Sequence, residues 1–378
     1  MIVIRPIEKL LPLLLCGLLG LAACGDKTKP DDDGDQTLLT PYEGIWQQVG
    51  YGHIWELKAG SFVKYEISSQ HCLVKERGAL RLLEGETEIV EGDATQFSLL
   101  TVFGGTRYYF DRIQALPELC ADGGVSASQD PELNFEILWH TFNEQYAFFE
   151  KRGVDWQTQY ETYRPRVTAL TTQEELFEIF KAMVEPLKDG HVGLLRGEND
   201  YYHQIDTPLF YRLQQEFSEQ SEYGRFDAFL AKQLEAAWQV TASYLQAEPE
   251  IDANNKLRWG SLNEDTGYLF IEALAEFSGA QTMKTQIADL DTALDKVFLD
   301  FKDKQQLVID LRANTGGWDS AAVALASRLV AESRLGFTKQ ARADNGFTPI
   351  QEFQLEPVSD AQGRFLGPIV ILTSGITA

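Results

Sequence analysis

The sequence predicts an α+β or α/β protein in three consecutive zones: a small antiparallel β domain, a helical segment, and a β/α core. Three observations carry that prediction. Short strand-like runs separated by turn residues fill 38–125, apolar residues repeat at helical spacing from Asp130, and strands alternate with helices from Leu257 onward.

The chain is 378 residues long with 44% hydrophobic residues, enough for roughly two to three packed domains. Its net charge of −24 repels phosphate backbones and anionic headgroups, which disfavours nucleic acid or a polybasic membrane patch as partner. After the first residues no apolar run of about 18 could span a bilayer.

Each zone follows from its residues. Arg5 and Lys9, then the apolar stretch 10–21, then Ala22-Ala23-Cys24 read as a secretory signal peptide over 1–23. Its end resembles the bacterial lipoprotein box, which would make Cys24 the acylated first residue of an envelope-anchored protein. Gly25 in place of aspartate points to the outer membrane; a soluble exported protein, or an inner-membrane anchor, is the other reading. An acidic tether spans 24–37, with Pro30-Asp-Asp-Asp-Gly34. Cys72 and Cys120 are then the only cysteines left in the body, and an oxidising periplasm permits one disulfide between them; two buried unpaired thiols are the other arrangement.

Over 38–125 the runs Gly44-Ile-Trp-Gln, His53-Ile-Trp-Glu-Leu, Ser61-Phe-Val-Lys-Tyr-Glu-Ile, Cys72-Leu-Val-Lys, Gln96-Phe-Ser-Leu-Leu-Thr-Val and Thr106-Arg-Tyr-Tyr-Phe predict a small barrel or sandwich. Trp46, Tyr51, Trp55 and Tyr65 serve either its core or a ligand face. His53 and His71 lack partners at metal spacing, and no cofactor is expected anywhere in the chain. The helical part, 126–250, opens with Leu133, Ile137, Leu138, Thr141, Phe142 and Tyr146 on one face, and a second helix starts near Trp156. A third opens on the capping box Thr172-Gln-Glu-Glu175, buries Leu176, Phe180, Met183, Val184 and Leu187, and stops with Gly190 in the left-handed position. No clean period runs through 198–222, whereas 226–245 is amphipathic and Pro249 closes it. The core, 251–378, alternates the strand Gly267-Tyr-Leu-Phe-Ile-Glu-Ala, a helix over 283–301, the strand Gln306-Leu-Val-Ile-Asp-Leu311, a small-residue helix over 319–331 and the strand Pro368-Ile-Val-Ile-Leu372.

Three motifs carry chemistry: Lys188-Asp-Gly-His191-Val, Asp310-Leu-Arg-Ala-Asn-Thr-Gly-Gly317, and Ile369-Val-Ile-Leu-Thr-Ser-Gly-Ile-Thr-Ala378. Read physically, a buried strand that ends in Asn314-Thr-Gly-Gly317 and enters a helix puts the Gly316 and Gly317 amides where a carbonyl oxygen can approach, at the positive end of a helix dipole. The alternative is a tight strand-to-helix turn with Asp310 and Arg312 as a structural ion pair. The Gly-x-Gly-x-x-Gly spacing of a dinucleotide loop is missing. His191 is either a general base or a turn histidine after a helix end.

The order and type of these motifs resemble the tail-specific, or C-terminal processing, serine peptidase family, and within it the tricorn-core and retinoid-binding-protein-like branch. Gly267-Tyr-Leu-Phe-Ile and Tyr146-Ala-Phe-Phe-Glu150 share that resemblance, which covers 130–378. It implies a serine-type peptidase acting on a polypeptide substrate, with His191 as base and Gly316 and Gly317 as oxyanion donors. It further implies that the nucleophilic serine would follow Ala378 directly, with Ser374 matching a non-catalytic small residue of the family, and that an orienting acidic residue would lie further downstream; on that reading the chain is truncated and inactive as it stands. No Gly-Leu-Gly-Phe loop marks a PDZ domain between His191 and Gly267. The alternative function is a non-catalytic ligand-binding envelope lipoprotein on the same fold.

Overall fold

Successive side chains of the strands in the first zone point to opposite faces of its sheet, and a separate core forms on each face. The computed structural model describes residues 2–3, 38–83, 87–102, 105–124, 128–197, 200–203, 207–220, 222–343, 346–359 and 363–377. The signal peptide beyond β1 (Ile2–Val3), the lipidation site Cys24, the tether over 24–37 and Ala378 lie outside the described residues. The chain divides into two compact units, 1–99 with 108–206 and 340–349, and 100–107 with 207–339 and 350–378.

In the first unit β2 (Gly44–Gln48), β3 (His53–Lys58), β4 (Ser61–Ile67), β5 (Cys72–Ala79), β6 (Thr87–Gly92), β7 (Gln96–Thr101) and β8 (Arg107–Ile113) form one sheet in the order β5-β4-β3-β2-β8-β7-β6. Its end strands are not paired to each other among the described residues, so the barrel or sandwich of the sequence reading becomes a single open half-barrel. Trp46, Trp55, Leu57, Phe62, Phe97 and Phe110 fill one core. Ile54, Tyr65, Cys72 and Cys120 form a second, where the two cysteines are joined by a disulfide with Cα atoms 5.2 Å apart. Trp46, Trp55 and Tyr65 are thus core residues and offer no ligand face.

The helices follow: α1 (Pro131–Gln145), α2 (Phe149–Arg152), α3 (Trp156–Tyr163) and α4 (Gln173–Val184). Asp130 and Asp155 cap α1 and α3, and Thr172 with Glu175 forms both bonds of the capping box of α4. Phe135, Leu138, Phe142, Trp156, Phe177, Phe180 and Met183 make their common core. The hairpin loop before β5 is tied to α1: His71 Nδ1 lies 2.6 Å from the Ser68 hydroxyl, and its Nε2 lies 3.3 Å from that of Thr141. The unit also holds β9 (Gly193–Arg196), β10 (Asp200–His203) and the short hairpin β16 (Arg342–Ala343) with β17 (Gly346–Phe347); β9 pairs antiparallel with both β1 and β10.

The second unit contains α5 (Pro208–Ser218), α6 (Phe226–Ala242), β11 (Glu250–Asp252), β12 (Leu257–Ser261), β13 (Thr266–Ile271), α7 (Met283–Asp300), β14 (Gln306–Asp310), α8 (Asp319–Ala326), β15 (Arg334–Lys339), β18 (Gln351–Leu355) and β19 (Ile369–Leu372). The central sheet runs β11-β12-β13-β14-β19, with β13, β14 and β19 parallel. Each parallel step needs a crossover, and α7 and α8 lie in those connections. Every residue of β13 is buried, as a strand covered on both faces requires. Leu269, Ile271, Leu294, Val297, Phe298, Phe301, Leu307 and Ile309 form the core. Helix α6 joins this unit because Trp238 packs on Phe270 with ring centroids 5.2 Å apart, under the guanidinium of Arg258. Helix α8 stops at Ala326, five residues before the expected end, because Arg328 turns inward onto Asp291 and Asp295 at 3.0 and 2.7 Å. Among the described residues no helix is long and apolar enough to cross a membrane.

Candidate active site

The turn that presents His191 starts where α4 runs out. The chain passes through one 3-10 turn, Glu185–Leu187, and reverses at Lys188 with φ of 45°. The left-handed residue is therefore Lys188 and not Gly190, because the 3-10 turn tightens the helix end and brings the reversal two residues earlier. A Cβ added to Gly190 would meet nothing within 4 Å. Asp189 is what holds the turn: it is buried, its Oδ1 accepts the His191 N–H at 2.9 Å, and its Oδ2 accepts the Tyr146 hydroxyl at 2.8 Å. The Arg152 guanidinium approaches the same carboxylate to 3.8 Å and donates to the Lys188 carbonyl at 2.8 Å. Burial alone would raise the Asp189 pKa, but the His191 side chain and amide, the Tyr146 hydroxyl and the charge of Arg152 outweigh it and hold the carboxyl well below the usual range. Burial, then the bond and charge of Asp189, push the Tyr146 hydroxyl up. The His191 ring is 87% exposed, with Nδ1 3.7 Å from Asp189 Oδ1.

In the second unit the Asp310–Gly317 segment rests on a buried carboxylate of the same kind. Asp310 accepts the Tyr268 hydroxyl at 2.6 Å, the Arg312 Nη2 at 2.6 Å and the Arg312 N–H at 3.0 Å. Burial raises its pKa, and the Arg312 and Tyr268 hydrogen bonds overcome that and lower it. The structural ion pair of the sequence reading is thus present, and it supports the loop that follows.

Asn314 organises that loop. Its amide donates to the Ile271 carbonyl at 3.1 Å while its Oδ1 accepts the Gly316 N–H at 2.8 Å. Thr315 donates to the Glu272 carbonyl, Leu274 to the Gly316 carbonyl and Trp318 to the Leu274 carbonyl, at 3.1, 2.8 and 2.9 Å. Of the two glycines expected to offer amides, Gly316 has its N–H engaged by Asn314, so it is no open donor here; Gly317 alone has an N–H with no hydrogen-bond partner among the described residues. With φ of 146° and Leu274 backbone atoms 2.4 Å from where a Cβ would stand, this position admits only glycine. Helix α8 begins two residues later, so the open N–H lies at its positive end.

The third motif is bound to the second. The Ser374 hydroxyl donates to the Arg312 carbonyl at 2.5 Å, the Thr377 hydroxyl to the Leu311 carbonyl at 2.7 Å, and Leu311 N–H to the Leu372 carbonyl at 2.8 Å. Ser374 Oγ also accepts the Ile376 N–H at 3.1 Å. The Ser374 proton is thus spent on a carbonyl, which leaves its oxygen a weak nucleophile.

The structure therefore joins Gly316, Gly317 and Ser374 in the second unit and places His191 in the first. Sequence reasoning passed over Asp189, Asn314, Tyr268 and Leu274. An Asp-x-His turn, in which the aspartate accepts the amide two residues on, is the signal that could have found the first.

Residues 127–185 match the profile of the tricorn protease C1 domain and residues 265–378 that of peptidase family S41. Among solved structures, a candidate peptidase from Parabacteroides merdae is 26% identical with a TM-score of 0.48, covering 65% of this chain and 68% of that one. A lipoprotein from Streptococcus agalactiae is 14% identical with a TM-score of 0.35, over 67% and 70% of the two chains. The photosystem II D1 C-terminal processing protease is 13% identical with a TM-score of 0.32, over 65% and 75%. No curated protein matches the chain.

Proposed function

With residues 265–378 belonging to peptidase family S41, we propose that the protein is an exported serine-type peptidase that cleaves polypeptides by a Ser/His mechanism. The observation that carries the reading is the Gly317 N–H, which has no hydrogen-bond partner among the described residues while the amides on either side of it are engaged. In this mechanism His191 takes the proton of a serine hydroxyl as its oxygen attacks the scissile carbonyl. The Gly317 N–H receives the oxyanion, an interaction typically worth about 10²- to 10³-fold in rate. The amine then leaves with the proton from His191, and water repeats the sequence to release the acyl group. Ser374 spends its hydroxyl on the Arg312 carbonyl and is not assigned as the nucleophile.

The test is hydrolysis of an unfolded polypeptide by the full-length protein, and its block by a fluorophosphonate. Cleavage that the reagent abolishes supports the reading. Folded, soluble protein that neither cleaves nor labels would replace it with the ligand-binding one.

The site of action is the bacterial cell envelope, with Cys24 as lipid anchor. The Cys72–Cys120 disulfide supports an oxidising compartment. Cys24→Ser is expected to move the protein from the membrane to the soluble fraction, and retention of the variant on membranes would refute the anchor.

A further inference from the structure

The turn before β9 holds more than an exposed imidazole. We propose that Asp189 is a positioning residue for His191, facing the ring at Nδ1–H so that Nε2 is left as the proton acceptor; this rests on the peptidase reading of His191. The geometry is local and needs no other part of the molecule. Asp189 Oδ1 binds the His191 amide at 2.9 Å and stands 3.7 Å from Nδ1 of the same residue. A carboxylate has about four acceptor sites, so it can hold the backbone and face the ring at once.

The groups around Asp189 suit that role. Tyr146, at the C-terminal end of α1, donates its hydroxyl to Oδ2 at 2.8 Å, and Arg152, at the end of α2, brings a positive charge to 3.8 Å. Together with His191 they keep the carboxylate ionised and fix the direction in which it points. Val192 and Leu194, buried in the core of the helices, anchor the exit of the turn. The imidazole itself remains exposed, as a group must be that is to meet a substrate.

A separation of 3.7 Å exceeds a hydrogen bond, and an exposed ion pair in water is weak. Both change when a substrate covers the ring: water leaves, the local dielectric falls, and the imidazolium formed as Nε2 takes the serine proton is stabilised by the adjacent carboxylate. The proton then passes from Nε2 to the leaving amine, and Asp189 remains ionised throughout.

The test reads the ring directly. Nitrogen-15 spectra of the histidine side chains, at a pH where the ring is neutral and with His191→Gln to identify its signals, report which nitrogen carries the proton. The Nδ1–H form is expected to dominate in the wild-type chain. Asp189→Asn keeps an oxygen for the His191 amide but removes the charge, and should return the ring to the Nε2–H form usual for free imidazole. Tyr146→Phe, which leaves the turn intact, should produce a partial shift in the same direction. A ring already in the Nε2–H form in the wild type, or a tautomer untouched by Asp189→Asn in a variant of unchanged circular dichroism, would overturn the proposal. These spectra do not depend on cleavage, so an inactive protein with a responsive tautomer would cost the peptidase reading and leave the placement of Asp189 standing. In a form that does cleave, Asp189→Asn should lower kcat about 10²-fold or more with KM little changed; an unchanged kcat would count against the positioning role.

Discussion

The two glycine-bearing turns that carry the candidate chemistry are held in opposite ways. Around Gly190 the backbone is open, and a side chain, Asp189, does the holding: its carboxylate binds the His191 amide and the Tyr146 hydroxyl. Around Gly317 the backbone itself is the constraint, with Leu274 donating to one neighbour, accepting from the other and leaving no volume for a Cβ. One turn presents a side chain, and what it needs is an oriented ring on a surface. The other presents an N–H, and the only way to aim a backbone donor is to fix the backbone on both sides of it. The glycine in Lys188-Asp-Gly-His191 is therefore dispensable for shape, whereas the second glycine of Asn314-Thr-Gly-Gly317 is not.

That contrast is broken most easily at Gly317. Gly317→Ala combines a forbidden φ with overlap on the Leu274 backbone and is expected to cost about 2–5 kcal/mol in chemical unfolding. A loss below about 0.5 kcal/mol would mean that the loop is not fixed as described.

Acid should weaken both turns, since each rests on a depressed carboxylate. Folded Asp189 and Asp310 titrate below the ordinary carboxylate value of about 3.9. Their stabilisation is thus complete above that value and is lost as the pH falls through the depressed ones. Asp310→Asn, which leaves Arg312 and Tyr268 facing a neutral amide, is expected to cost about 2 kcal/mol at neutral pH and to flatten the acid limb of an unfolding profile. An acid limb as steep as that of the wild type would show that the charge of Asp310 does not support its loop.

The smallest effect belongs to Gly190. Gly190→Ala meets no neighbour, so stability should change by less than about 0.5 kcal/mol. A larger loss would remove the asymmetry between the turns.

How far the sequence could be read follows the same division between side chain and backbone. The capping box at Thr172 and the caps at Asp130 and Asp155 are local chemistry, and both ends of each are neighbours in the chain. The buried strand Gln306–Asp310 and its glycine loop were legible because an apolar run must end somewhere, and Asn-Thr-Gly-Gly marks where. Strand β6 was missed because Thr87-Glu-Ile-Val-Glu-Gly92 has only two apolar residues to alternate. Helix α5 was missed although Leu209, Phe210, Leu213 and Phe217 recur at helical spacing, because that stripe is short and sits in an otherwise polar stretch. In the candidate site, His191 and the glycines could be named from residue type and order. Which glycine has an open amide could not, since that depends on Asn314 folding back on Gly316 and on Leu274, 43 positions before Gly317 in the chain. The left-handed residue was misplaced on Gly190 because composition favours glycine there, while the 3-10 turn settled the reversal on Lys188.

The central claim is that His191 activates a serine other than Ser374. Fluorophosphonate labelling of the full-length protein, comparing His191→Ala with Ser374→Ala, tests it most directly. The account predicts that Ser374→Ala retains most of the label, mapped by mass spectrometry to a serine other than Ser374, and that His191→Ala loses it by about 10³-fold or more. Label on Ser374 itself, or full labelling of His191→Ala, would contradict it.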